Sequence, residues 1–241
     1  MDPPSVAIVV PALNEETGIE ACLRRLRADF PDCDLVVVDG GSTDRTAALA
    51  ARHATVVQAP RGRARQMNAG VAATSSDVLW FVHADCAVDP DALARLRAAL
   101  ADPDVVGGGL RIRFDRRTPG LEFLRVTSNW RARLLGQVFG DQALFVRRSV
   151  FDALGGFPDQ PLLEDFELSR RLRARGRLVV LSAEVTASSR RILAHGPWRM
   201  TVLMQWLKLQ YLAGVDPERI RRRYERGTRR GRRARARTQE G

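Results

Sequence analysis

Short apolar runs alternate with helical patterns through the first hundred residues of the chain. The apolar runs are typical of buried strands and predict strands over 6–10, 35–38, 56–57 and 78–82. Between them, apolar residues recur at the spacing of one helix face, which predicts helices over 19–26, 47–51, 66–73 and 93–100. Strands that alternate with helices indicate an α/β fold with a mainly parallel sheet covered on both faces.

The second half of the chain has a less regular pattern. It predicts strands over 111–114, 143–146 and 178–181, and an amphipathic helix over 163–175. Residues 198–212 form a strongly apolar segment with a narrow polar stripe that contains Lys208. This segment is short for a membrane span, which needs about 20 apolar residues. We interpret it as a packing helix, an interfacial helix or a dimer contact.

Composition and charge change this picture at one end of the chain. The 241 residues suffice for one or two domains, and 45% hydrophobic with 28% charged residues is globular composition, which excludes a wholly disordered chain. The net charge is +11, and residues 219–241 hold eleven arginines against Glu225 and Glu240. We predict a folded region over 1–215 and a basic tail over 216–241. The tail is either a solvated terminus or a segment for an anionic membrane face, and nucleic acid is disfavoured because no aromatic-rich surface accompanies it.

The cysteines and the first residues of the chain indicate in which cellular compartment we expect the protein. Cys22, Cys33 and Cys86 are too few and too scattered for a disulfide scaffold or a zinc ribbon, which predicts a reducing environment. Residues 1–4 show no basic run followed by an apolar core, so we expect no signal peptide. We therefore expect a cytoplasmic protein that could lie at the inner face of the membrane.

Polar clusters follow three of the predicted strands. They are Asn14 and Glu15 after the first strand, Asp39 after the second, and His83, Ala84 and Asp85 after the fourth. In open α/β sheets, ligands bind beyond the carboxyl ends of the strands. Unpaired carboxylates in a core are costly, so a packing role does not suit these residues. The sequence therefore predicts a binding site at one edge of the sheet.

Two acidic positions are candidates for chemistry. Asp85 emerges at a strand end and suits Mg2+ or Mn2+, which prefer oxygen ligands and often keep a diphosphate in their shell. His83 points to the same side of an extended strand, as a second ligand or as a structural neighbour. Glu164 and Asp165 open a predicted helix, where they either cap it or supply a fixed general base.

Two further polar segments are candidates for substrate binding. Gly140, Asp141 and Gln142 precede a predicted strand and could bind an acceptor. The turn before the predicted helix over 66–73 is either a phosphate-binding segment, since arginine forks suit phosphate oxygens, or a solvated basic loop. Its polar residues are Arg61, Arg63, Arg65, Gln66 and Asn68.

Six segments together resemble the family 2 glycosyltransferases. In chain order they are VVPALNEE, VVDGGSTDRT, RGRARQMNAG, LWFVHAD, GDQALFVRR and PLLEDFELSRRL. The likeness covers about residues 5–215 and is closest to the small bacterial radical-SAM/selenodomain-associated subgroup. It implies a GT-A fold, which is Rossmann-like with a mostly parallel central sheet, as a single domain plus C-terminal helices. It also implies a nucleotide-binding half of about 1–105 and an acceptor half of about 106–215.

The resemblance implies an inverting enzyme of the hexosyltransferase type. Such an enzyme moves a sugar from a nucleotide-diphosphate sugar, by family habit a UDP-sugar, to an acceptor hydroxyl with the help of Mg2+ or Mn2+. The acceptor could be a lipid, a metabolite or a glycan. By the family pattern, Asp85 binds the metal ion and Asp165 is the general base. The residues that the pattern implies in nucleotide or diphosphate contacts are Pro11, Asn14, Glu15, Asp39, Arg190 and Arg191. His83 stands where the family's Asp-x-Asp motif has its first Asp.

Two other functions are open on the sequence. A nucleotidyltransferase of related fold often carries a glycine-rich loop and a lysine after the first strand, whereas this chain has PALNEE there and no lysine before Lys208. A non-catalytic module would bind a nucleotide or an anionic surface, and the acids Asp85 and Asp165 disfavour it.

Overall fold

The computed structural model describes residues 3–239 of the chain, with the side chains of residues 3–228. The described residues form one mixed sheet of eight strands surrounded by ten helices. The strands are β1 (Val6–Ala12), β2 (Asp34–Asp39), β3 (Thr55–Gln58), β4 (Val78–Phe81), β5 (Cys86–Val88), β6 (Val105–Phe114), β7 (Phe145–Arg147) and β8 (Arg177–Ala187). The helices are α1 (Ile19–Asp29), α2 (Thr46–Ala50), α3 (Arg63–Ala72), α4 (Ala92–Ala99), α5 (Pro119–Leu135), α6 (Arg148–Ala153), α7 (Glu164–Arg173), α8 (Arg190–His195), α9 (Pro197–Leu212) and α10 (Pro217–Gln239).

The strand order sets where the carboxyl ends of the strands lie. The order is β3-β2-β1-β4-β7-β6-β8-β5, and β3, β2, β1 and β4 are parallel. Strand β7 is antiparallel to both β4 and β6, and β6 is parallel to β8. Strands β6 and β8 therefore run in the same direction as β1 and β4. All four of these strands have their carboxyl ends at one edge of the sheet.

Strand β1 is buried on both faces. Ile8 belongs to one apolar cluster with Ile19 and Leu23 of α1, whereas Val9 belongs to the other with Met67 of α3. A strand covered by helices on both sides needs an unbroken apolar run rather than an alternating one. This explains why the short apolar runs predicted the parallel strands, and the predicted α/β class with a central sheet is confirmed.

Strand β6 begins six residues before the predicted start at 111. The sequence pattern misses its first half because that half contains three glycines, which are poor strand formers. A Cβ on Gly107 would lie 2.4 Å from the carbonyl oxygen of Phe145, and one on Gly108 would lie 2.1 Å from that of Val179. The glycines therefore allow β7 and β8 to approach β6 closely. The sequence pattern also does not predict α5, since apolar residues such as Trp130 lie on its outer face.

The C-terminal segment differs from the expectation of a tail that starts at 216. Helix α10 begins at Pro217, and Ile220 is fully buried in a cluster with Leu207 of α9 and Phe166 of α7. The first turns of the basic segment are therefore packed on the folded unit. The arginine side chains beyond Thr228 lie outside the described residues. Within the described part of the chain, no helix is both long and apolar enough to cross a bilayer.

Substitution of Gly108 by alanine tests the close approach of β6 and β8. The added Cβ meets main-chain atoms that cannot rotate away, so we expect the free energy of unfolding to fall by about 1–3 kcal/mol. Urea unfolding of the variant measures this. Gly18→Ala is the control, because a Cβ there has no neighbour within 4 Å. Equal stability of the two variants would contradict the packing described for β6.

Candidate active site

A cavity of about 470 Å³ opens at the carboxyl edge of the sheet. It lies between the ends of β1 and β4 on one side and the ends of β6 and β8, at Phe114 and Ala187, on the other. The predicted site residues that line it are Pro11, Glu15, Arg61, Arg63, Gln66, His83, Ala84, Asp85, Asp141, Arg190 and Arg191. The cavity thus brings together residues that follow the first and the fourth predicted strands, whereas Asp39, after the second, is not in its lining.

The wall of the cavity carries charges of both signs. Its cations are Arg61, Arg63, Arg190 and Arg191, and its acids include Glu15 and Asp85. Burial, together with the nearby carboxylate of Asp85, raises the pKa of Glu15. Guanidinium groups bind phosphate oxygens through paired hydrogen bonds. The cavity can therefore hold a polyanion, with two carboxylates placed to meet a cation bound beside it.

His83 is a neutral, unpaired imidazole in this wall. Burial and the nearby Arg63 guanidinium lower its pKa to about 4. Its Nε2 atom is buried, and no described residue forms a hydrogen bond with it. A neutral imidazole with a free nitrogen is the form that binds metal ions.

Asp85 and His83 fit a divalent cation only if further ligands come from elsewhere. Among residues 3–239, no group of three or more His, Cys, Asp or Glu side chains is arranged to hold a metal. Mg2+ usually binds through one or two carboxylates together with substrate phosphates. A carboxylate and a free imidazole nitrogen beside an arginine-lined cavity fit a metal that is shared with a diphosphate.

Asp165 is fixed by two main-chain N–H groups. Gly140 N–H donates to its Oδ2 at 2.9 Å, and Phe166 N–H donates to its Oδ1 at 2.7 Å. Asp165 lies in the first turn of α7, where partial positive charge of the helix favours an acid. The two bonds hold the carboxylate in one orientation, which is what a general base requires.

Gly140 lies next to both Asp165 and His83. A Cβ on Gly140 would lie 3.0 Å from His83 Nε2 and 3.5 Å from Asp165 Oδ2. Both side chains therefore lie against the Cα of this glycine, and a larger residue there would displace one or both of them. The neighbouring Asp141 lines the cavity, and its buried Oδ1 has no hydrogen-bond partner among the described residues. Burial raises the pKa of Asp141.

Glu164 is not part of the cavity lining and pairs with Arg63, which does line the cavity. Arg63 Nη1 lies 3.5 Å from Glu164 Oε1, and Glu164 is buried. Burial and the adjacent Asp165 raise the pKa of Glu164, while Arg63 opposes that rise. Glu164 therefore connects α7 to the start of α3, and Arg63 serves both this ion pair and the cavity wall.

Asn14 and Asp39 organise the loops that follow β1 and β2. Asp39 accepts hydrogen bonds from the N–H and the hydroxyl of Ser42, and Ser42 Oγ accepts the N–H of Asn14 at 2.9 Å. Asn14 itself has a left-handed φ of 54°, and its Oδ1 accepts Thr43 N–H at 2.9 Å. Both side chains stand beside the cavity rather than in its lining. Their nucleotide contacts stay predictions.

A match to a family model shows which protein family the chain belongs to. Residues 7–153, more than half of the chain, match the family described as Glycosyl transferase family 2. The chain belongs to glycosyl transferase family 2. The six motifs that carry the resemblance in the sequence thus lie in a chain of that family, and the GT-A fold they imply is the fold observed.

Curated relatives match part of this chain. An uncharacterized glycosyltransferase of Mycobacterium tuberculosis is 39% identical over 110 residues, which is 44% of this chain and 49% of that protein. The beta-monoglucosyldiacylglycerol synthase of Synechocystis is 29% identical over 195 residues, which is 70% of this chain and 40% of that protein. The chain thus spans about half the length, or less, of these relatives.

Solved structures of glycosyltransferases share the fold. The mannosyltransferase PcManGT of Pyrobaculum calidifontis superposes with a TM-score of 0.69 at 22% identity, over 90% of this chain and 66% of that chain. Glucosyl-3-phosphoglycerate synthase of Mycobacterium tuberculosis gives a TM-score of 0.56 at 20% identity, over 79% of this chain and 78% of that chain.

Three residues predicted from the family motifs or the basic turn are engaged elsewhere in the structure. Arg65 forms an exposed ion pair with Asp159 at 2.8 Å, outside the cavity lining. Asn68 exchanges two hydrogen bonds with the main chain of Phe157. Gln142 is fully buried. Its Nε2 donates a hydrogen bond to Leu110 O, and its Oε1 accepts one from Arg131. These side chains hold the fold around the site, and their substrate roles stay predictions.

Sequence reasoning gave no role to Arg131 and Lys208, and it placed Gln66 only among the polar residues of the basic turn. Gln66 lines the cavity, and its Nε2 donates to Ala12 O at 2.8 Å and Val38 O at 2.9 Å, which ties together the ends of β1 and β2. Arg131 and Lys208 both lie over the Phe139 ring, with Cζ of Arg131 at 3.7 Å and Nζ of Lys208 at 4.3 Å from the ring centre. Burial and Arg131 lower the pKa of Lys208 to about 8. The one available signal was that Lys208 is the only lysine in the sequence.

The Arg63–Glu164 pair can be tested by removing the cation. In Arg63→Met, Glu164 stays buried without a partner, so we expect the free energy of unfolding to fall by about 1–3 kcal/mol. The folded-state pKa of Glu164 then rises further above its unfolded value of 4.5, so stability falls further as the pH rises through that folded-state pKa. Urea unfolding at about pH 5 and about pH 8 measures both effects.

The double variant Arg63→Met/Glu164→Gln is the matched control. It removes the buried charge as well, so its stability should recover most of the loss at the higher pH. A loss in Arg63→Met that does not change with pH, or that the second substitution leaves intact, would contradict the pairing.

Proposed function

We propose that the protein is an inverting glycosyltransferase that moves a sugar from a nucleotide-diphosphate sugar to an acceptor hydroxyl. The cavity carries this proposal, because its arginines face Glu15 and Asp85 while a fixed carboxylate, Asp165, stands next to His83 across Gly140. This arrangement provides a polyanion site and a base side by side. Membership of glycosyl transferase family 2 supports the same reaction.

The donor is proposed to be a UDP-sugar, held with a divalent metal ion. The Pyrobaculum mannosyltransferase is in complex with GDP-Man and Mn2+, and the Mycobacterium synthase is in complex with UDP, glucosyl-3-phosphoglycerate and Mn2+. These complexes support a nucleotide-diphosphate sugar and a divalent ion as a class. The choice of UDP, and the assignment to the radical-SAM-associated subgroup, rest on the sequence motifs.

The cavity residues would stabilise the departing nucleoside diphosphate. Asp85 and His83 would hold Mg2+ or Mn2+, which when bound offsets negative charge on the diphosphate. Arg63, Arg190 and Arg191 would bind the phosphate oxygens and share that charge. Because these guanidinium groups are in place before reaction, little reorganisation is needed as charge develops.

Asp165 would act as the general base. It would accept the proton of the acceptor hydroxyl as the oxygen attacks the anomeric carbon on the face opposite the leaving group. The glycosidic bond to the diphosphate breaks as the new bond to oxygen forms, so a single displacement inverts the anomeric centre. We assign the donor site to the half at about 1–105 and the acceptor site, with Gly140, Asp141 and Gln142, to the half at about 106–215.

Nucleotide binding gives the first test of the donor site. A ligand that binds only the folded state raises its stability by about 2.7 kcal/mol at a hundredfold excess over its dissociation constant. We expect UDP to raise the melting temperature in the presence of Mn2+, and this shift to be lost in Asp85→Ala. Thermal unfolding with UDP, GDP, dTDP and CDP, each with and without Mn2+, measures it.

Asp32→Ala is the control for that experiment, since Asp32 is an exposed acid outside the cavity. It should keep the Mn2+-dependent shift. A shift that survives in Asp85→Ala would exclude Asp85 as the metal ligand, and a shift with another nucleotide would replace UDP as the donor class.

Turnover gives the test of the base. Asp165→Asn keeps the shape of the side chain but cannot accept the proton, so we expect kcat to fall by about 10²–10⁴-fold with nucleotide affinity unchanged. Release of nucleoside diphosphate from the donor in the presence of an acceptor measures the rate. Asp152→Asn, at an exposed position of α6, is the control. Near-normal turnover of Asp165→Asn would assign the base elsewhere, and release of pyrophosphate would indicate nucleotidyl transfer instead.

A further inference from the structure

Large exposed apolar side chains are concentrated on two helices. Among the described residues, every large hydrophobic side chain that is exposed lies on α5 or α9. Trp130 of α5 is 68% exposed and Val202 of α9 is 70% exposed. Single exposed apolar residues are ordinary, but a contiguous set marks an interaction surface.

The exposed residues form one continuous face. On α5, positions 123, 126, 130 and 134 follow the spacing of one helix side, and on α9 positions 198, 202, 206 and 209 do the same. The rings of Phe123 and Trp198 lie 5.0 Å apart, so the two stripes meet. We call this surface the α5/α9 face.

Helix α9 is apolar on both sides. Its inner side places Leu207, fully buried, in the cluster with Phe139 and Phe166, while its outer side belongs to the α5/α9 face. Apart from its narrow polar stripe, α9 thus has apolar side chains on opposite sides, and the core covers only one of them. With 16 residues, α9 is too short to cross a bilayer, so its outer side suits the plane of a membrane interface.

The surroundings of the face are cationic. Arg223 of α10 lies over the ring of Trp206 at 5.5 Å, and Arg199 lines the apolar groove beside Trp198 and Val202. Helix α9 contains no acid, and both described acids of α10, Glu218 and Glu225, are paired with Arg221. In sequence, α10 continues with six more arginines between 229 and 237.

This charge pattern favours an anionic bilayer over a second copy of the chain as the partner of the α5/α9 face. In a symmetric dimer through the α5/α9 face, the second copy would add further arginines to the same interface, while the described acids of α10 are already paired and α9 has none, so like charges oppose this dimer. An anionic bilayer supplies the opposite charge and an apolar interior for the tryptophans and leucines. Tryptophan and arginine are also the side chains that favour the membrane–water boundary.

We propose that the α5/α9 face docks the protein on an anionic lipid bilayer, with α9 lying in the plane of the interface and the arginines of α10 bound to lipid headgroups. The docking does not depend on the transfer reaction proposed above.

Sedimentation with lipid vesicles tests this proposal. We expect the full chain to bind vesicles of phosphatidylcholine with phosphatidylglycerol more tightly than vesicles of phosphatidylcholine alone, and to bind less well as salt is added. In the triple variant Trp130→Gln, Val202→Gln, Leu209→Gln the net charge is unchanged, so weaker binding reports the apolar contact. We expect at least about a tenfold loss of affinity.

A second triple variant, Ala21→Gln, Ala28→Gln, Ala48→Gln, is the control because these exposed positions lie on α1 and α2. It should bind as the unmodified chain does, and circular dichroism should show both variants folded. Equal binding by the two triple variants, or equal binding to both vesicle types, would overturn the proposal. So would a concentration-dependent dimer that only the first triple variant abolishes, without vesicle binding. The assay contains no donor and no metal, so none of these results bears on the transfer reaction.

Discussion

The antiparallel insertion of β7 is the constraint on which the site depends. Because β7 runs against both β4 and β6, the strands on its two sides point the same way. The ends of β1 and β4 then face the ends of β6 and β8 across one cavity. Without this strand, His83 and Asp85 would have no opposite wall. The glycines of β6 are part of the same constraint, since they let β7 and β8 approach the strand between them.

The charged groups around the cavity do not form simple one-to-one ion pairs. Arg63 pairs with the buried Glu164 and also lines the cavity, where it helps to keep His83 neutral. Asp165 is held by main-chain N–H groups instead of a cation, so its carboxylate is not used up by an ion pair. The same residues therefore stabilise the fold and, within the described part of the chain, leave a cavity lined by unpaired guanidinium groups, with the fixed carboxylate of Asp165 and the unpartnered Nε2 of His83 close to it.

Helix α9 connects the candidate site to the outer surface. Lys208 on its inner side lies 4.3 Å from the ring centre of Phe139, near the Asp165 carboxylate that affects its pKa. The opposite side of the same helix is the exposed apolar stripe. One short helix thus separates the predicted acceptor region from the surface proposed to meet lipid.

The sequence by itself determined the α/β class, the order of the first strands and helices, and the polar clusters at the strand ends. It could do so because a buried parallel strand requires a continuous apolar run, and because such strands end at a common edge. Asp85, His83 and Glu15 were found in this way and lie in the cavity wall. Only the tertiary structure decided which neighbouring residues face that cavity. Arg63 and Arg65 are two positions apart in α3, so they point to different sides, and the chain alone does not say which side faces the site. Gln142 turns into the core, and the exposed stripes of α5 and α9 become one surface, because these outcomes depend on contacts between segments far apart in the sequence.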